Sequence, residues 1–114
     1  MEDQLLLQKA WRKVKREEAE EILLSKPVGT YLFRKDHYAS CLEEILAGAK
    51  QADLKCYTLA FLDTDYQVRE RTVVSFKGKW LFYDDDPSLE EPSFISLEEL
   101  LKSLPPIAIA RVAM

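Results

Sequence analysis

Arg34 is the residue in this chain most in need of a chemical partner. In the stretch KPVGTYLFRKD (26–36), Tyr31, Leu32 and Phe33 read as the middle of a buried strand, and Arg34 follows with a charge that no working pH removes. A buried guanidinium without a partner costs several kcal/mol. Either a carboxylate of the chain must meet it, with Glu18, Glu20 and Glu70 as candidates, or an anion from outside. Its parallel N–H donors match two oxygens of a carboxylate or a phosphate. Arg16, beside a run of glutamates, is placed either to share that anion or to form a surface pair along its own helix. Lys35 follows Arg34 with a second positive charge, and His37 is the only histidine.

Patterns for catalysis or metal binding do not emerge. Neither cysteine has an arginine six residues later, and no Gly-rich phosphate loop, nucleophile elbow or HExxH occurs, so the expected function is not enzymatic. One histidine, two distant cysteines and Asp84-Asp85-Asp86 have no recognisable ligand spacing, and no cofactor or metal is expected. Cys41 and Cys56 read as free structural thiols.

The bulk figures fit one soluble domain over residues 1–114: 47% hydrophobic, 32% charged, with no apolar run of membrane-spanning length. The start has acids where a secretory signal would have bases, so a cytoplasmic protein is expected. Net charge is −4, unevenly spread: residues 1–79 carry a balance of +1 and residues 80–114 a balance of −5. That layout suits local binding of one anionic group and opposes general nucleic-acid binding.

The elements that must position these groups follow from periodicity and punctuation. Leu7, Trp11, Val14 and Ile22 fit one long helix, whereas the glutamates at 17, 18, 20 and 21 favour a break near Lys13-Val14 and a new helix from about Arg16. Thr30–Arg34 reads as a strand, and DHYASCLEEILAGAKQ (36–51) as a helix with Asp36 as possible N-cap. Three antiparallel strands follow, at 56–63, 67–76 and 79–83, the last two joined by a Lys77-Gly78 turn. DDDPSLEEP (84–92) is an acidic loop, Ser96 to Glu99 a capping box opening the last helix, and IAIARVAM a short edge strand. The order describes an α+β domain with a central antiparallel sheet and a helix on each face.

Several pieces in this order resemble a Src homology 2 (SH2) domain, the module that binds phosphotyrosine peptides. They are Trp11 with REEAEEIL (16–23), GTYLFRKD (29–36) in place of the family's Gly-Thr-Phe-Leu-Val-Arg-Glu-Ser strand, YTLAF (57–61), and FISLEELL (94–101). The resemblance covers about residues 11–104 and implies phosphate binding by Arg34 with help from Arg16, and with Lys35 as a point charge at the rim. It also implies tyrosine-phosphorylated proteins or peptides as partners. Arg34 would then lie at the floor of a cleft open to solvent, free of internal carboxylates.

The departures rebuild the pocket wall. A helical insertion follows the strand of Arg34, the family's second strand, and Lys35-Asp36 replace the usual Glu-Ser. Simple alignment places Glu70 on the family's fourth-strand histidine and Thr72 on a frequent lysine; a one-residue shift would bring Arg69 and Arg71 there instead. The free amides around His37, Tyr38 and Ala39 are candidates to join the phosphate cradle. Glu70, Tyr83, Leu97 and Leu101 are the expected peptide-specificity positions, and the acidic loop would favour basic residues after the phosphotyrosine. The insert and the acidic loop resemble the expanded loops of some bacterial-effector members, which would act in a host cytosol.

Overall fold

The computed structural model describes residues 2–50, 54–83 and 93–110. The chain begins with α1 (Glu2–Ala10), breaks, and restarts as α2 (Arg16–Leu24). The break falls where the charges indicate. Glu17 and Glu18 occupy the first turn of α2, and Glu18 reaches back to the Lys15 amide. Gly29, at φ 91°, turns the chain into β1 (Tyr31–Arg34), and its amide donates to the Leu62 carbonyl.

The insertion expected after Arg34 is present as α3 (His37–Lys50), with β2 (Leu54–Leu62), β3 (Val68–Phe76) and β4 (Lys79–Phe82) following. Lys77 (φ 51°) and Gly78 (φ 77°) both adopt left-handed backbone, as a tight two-residue hairpin requires. A two-residue β5 (Ser93–Phe94) completes a five-stranded antiparallel sheet of order β1-β2-β3-β4-β5. Beyond the outer edge of β1, Trp11 forms a single parallel bridge with Phe33. The insertion therefore follows the first full strand of this sheet.

α4 (Leu97–Lys102) is capped by Ser96, whose side chain accepts the Glu99 amide. The end of the chain differs from expectation: residues 105–110 form α5 (Pro105–Ala110), where an edge strand was read. Prolines fit a helix's first turn because its amides need no intrahelical acceptor. The acidic loop lies outside the described residues.

Pleat parity assigns the layers. On one face α2 packs Ala19 and Leu23 over Leu32, Ala60 and Leu62, while α3 packs Ala39, Leu42 and Leu46 over Leu54, Cys56, Val74 and Leu81. On the other, α1, α4 and α5 bring Leu7, Leu97, Leu100 and Ile107 onto Phe33, Leu59, Val73 and Trp80. Asp3 locks this second layer by accepting from the Trp80 indole at 3.0 Å and the Leu97 amide at 2.9 Å.

Candidate functional site

Between the apolar zones under α2 and α3 the sheet carries a polar row. Arg34 pairs with Thr58, Thr58 with Thr72, and the Tyr83 amide donates to the Thr72 carbonyl, so all four lie on the α2/α3 face. Glu70, two residues from Thr72, shares that face and stands opposite Ala60. Alternation alone accounts for the convergence: Leu32 and Arg34, Thr58 and Ala60, Glu70 and Thr72 all point the same way.

Arg34 is 4% exposed and meets its partner inside the chain. Its Nε and Nη2 donate to Glu70 Oε2 at 3.0 and 2.7 Å, and Nη2 lies 3.3 Å from Asp36 Oδ2. The other Glu70 oxygen, Oε1, is 3.5 Å from the Arg16 Nε. One carboxylate thus bridges two guanidiniums from separate elements. Arg16 is 67% exposed and also pairs with Glu20 at 3.4 Å.

This geometry corrects the expectation of an Arg34 free of internal carboxylates. The cause is register: β3 places Glu70 on the same face as Arg34, and burial of the guanidinium makes a neighbouring carboxylate its cheapest partner. The Glu70 carboxylate is engaged by the two arginines on the face that carries Arg34.

The same register sends Arg69 and Arg71 to the opposite face, away from Arg34. Arg69 pairs with Asp63 and Asp65 at 3.3 and 2.6 Å, and Arg71 lies 4.2 Å over the Phe82 ring. Lys35 is no open rim charge, because its Nζ contacts Glu43 Oε1 at 2.6 Å. His37 opens α3, with its ring 3.4 Å from the Cys41 sulfur one turn on. Of the amides near it, that of Ala39 is taken by Asp36 Oδ1 at 2.8 Å, the N-cap anticipated in the sequence. Leu97 and Leu101 are buried residues of the core between the sheet and α1, α4 and α5. Leu101 also lines a cavity of about 440 Å³ between α1, β1, α4 and α5, on the face opposite Arg34.

Two positioning residues escaped sequence reading. Asp3 is one. The other is Glu43, whose Oε1 accepts the Cys56 amide at 2.8 Å where β1 has ended and the edge of β2 would otherwise be unpaired. Burial pushes the Glu43 carboxyl up, but Lys35 and the Cys56 amide outweigh it and hold the group below the ordinary glutamate range. Burial, reinforced by the charge of Glu43, pushes the Cys56 thiol up to about 11. An acid on an amphipathic helix carries no sequence signal for either task.

No family model matches the chain, and no curated protein matches it. Among solved structures it is similar to the SH2 domain of human proto-oncogene protein VAV1, with 17% identity, a TM-score of 0.49, and coverage of 81% of this chain and 52% of that one. The VAV1 SH2 domain complexed with a tyrosine-phosphorylated peptide from SLP76 gives 18% identity, a TM-score of 0.49, and coverage of 79% and 50%. This chain spans about half the length of the solved chains it is compared with. At these values the comparison is a likeness of fold, and the chemistry has to be read from this chain's own side chains. Among the described residues, no helix is long and apolar enough to cross a membrane.

Proposed function

We propose that this domain binds the phosphotyrosine side chain of partner proteins or peptides, with Arg34 at the floor of the anion site and Arg16 at its rim. The observation that carries the reading is the convergence of these two guanidiniums, from β1 and α2, on a single anionic group, the Glu70 carboxylate. Donors that hold a carboxylate oxygen at 2.7 Å hold a phosphate oxygen by the same charge-assisted hydrogen bonds. Phosphotyrosine brings three such oxygens on a rigid stem, long enough to reach a floor residue. The motif order from Trp11 to the helix at 97 supports the same assignment. The domain then acts as a recruiting module and not as an enzyme.

The test is calorimetric. A randomised peptide pool with a fixed phosphotyrosine is titrated against the identical pool carrying tyrosine, on the wild type and on Arg34→Ala. Phosphate-dependent heat in the wild type that disappears with Arg34→Ala is the expected result.

A second reading is favoured by one observation: Glu70 and Asp36 already neutralise Arg34. In that reading the architecture serves assembly with unmodified protein and the ion pair is structural. Equal binding of both pools, unchanged by Arg34→Ala, would establish it.

A further inference from the structure

Resting on the phosphotyrosine reading, we infer that Glu70 is an internal competitor that occupies the phosphate position and must leave for the ligand to enter. Its carboxylate does what an incoming phosphate would have to do: one oxygen accepts from Nε and Nη2 of Arg34, at 3.0 and 2.7 Å, and the other faces Arg16 at 3.5 Å. A phosphate oxygen bound at Nε and Nη2 would take the place that Glu70 Oε2 holds. Arg34 lies in the polar row between the apolar clusters under α2 and α3.

Charge decides whether phosphate and Glu70 can coexist. Arg34 and Arg16 supply two positive charges, and Glu70, Asp36 and Glu20 supply three negative ones, so the resting site offers no unpaired positive charge. A dianion added to that set meets like charges within a few ångströms, in a setting where water screens them poorly. Once the Glu70 carboxylate swings away, the dianion faces two guanidiniums, with Asp36 beside Arg34 and the exposed Glu20 beside Arg16. The Glu70 side chain is 22% exposed, and a rotamer change toward that exposed side is the movement the displacement requires. Asp36 is held differently, since its Oδ1 caps α3 through the Ala39 amide, and it stays.

The consequence is selectivity. Every anion has to displace Glu70 before it gains Arg34, so a phosphate group alone binds weakly and phosphotyrosine binds more tightly when the rest of a peptide adds contacts. Glu70 sets the threshold of the site.

The experiment uses phenyl phosphate as the probe, with side-chain NMR of the Arg34 Nε–H on the whole chain. Glu70→Gln keeps the size and an oxygen acceptor for Arg34 but removes the competing charge. It is expected to tighten phenyl phosphate binding by about tenfold. Arg34→Ala in the Glu70→Gln background is expected to abolish it. In the wild type, the Glu70 carboxyl carbon signal should move with the Arg34 signal along the same titration curve, a readout that does not depend on the variants folding. Equal affinity in wild type and Glu70→Gln, or an Arg34 signal that titrates while Glu70 stays fixed, overturns the competitor role and leaves phosphotyrosine binding standing. Absence of binding in both folded proteins overturns the competitor role and the phosphotyrosine reading together.

Discussion

The Arg34–Glu70 pair is an expensive way to hold a sheet together. Its desolvation offsets much of the attraction, so such a pair contributes little net stability, although breaking it on one side is costly. Glu70→Ala should therefore destabilise the domain by about 3 kcal/mol in urea titration, because it leaves Arg34 with Asp36 alone. Replacing both members, as Arg34→Met with Glu70→Leu, should recover most of that loss by the same measurement. The two thiols separate at this scale as well. Cys56 is fully buried and its thiol is raised to about 11, whereas Cys41 is half-buried beside His37. Iodoacetamide at neutral pH should label Cys41 and spare Cys56 in the folded protein, as peptide mapping would show.

Among the elements, α3 depends on one cap. Asp36→Ala removes the acceptor of the Ala39 amide and should cost about 1 kcal/mol, with amide exchange accelerating first at Ala39 and Ser40. Most elements were legible in the sequence because helical and strand periods differ and their ends carry Ser96, Gly29 and Lys77-Gly78. The last segment was misread. IAIARVAM alternates enough to suggest a strand, but Pro105 and Pro106 also suit a helix start, and Ile107 finds its burial against the α1/α4 layer. The register of β3 was open for a related reason. Arg69 and Arg71 on one face, and Glu70 and Thr72 on the other, leave that end of the strand without the apolar alternation that fixes register.

For the molecule as a whole, Glu43 joins α3, Lys35 and the exposed edge of β2, so its ionisation bears on global stability. Its pKa is lower folded than unfolded. The stabilisation is complete above the ordinary glutamate range and is lost as pH falls through the depressed folded value. Glu43→Gln should flatten the acid side of the stability curve, measured by urea midpoints from neutral pH downward.

By itself the sequence determined the element order, the α+β class and the identity of the arginine that needed a partner, because those depend on local periodicity and on a charge that cannot be neutralised. Only the tertiary structure decided which anion meets Arg34. That choice turns on strand register, which brings Glu70 of β3 under Arg16 of α2 and beside Arg34 of β1. Distances between side chains 36 and 54 residues apart in sequence are set by pairing across the sheet and packing of α2, and neither leaves a mark in the local pattern of letters.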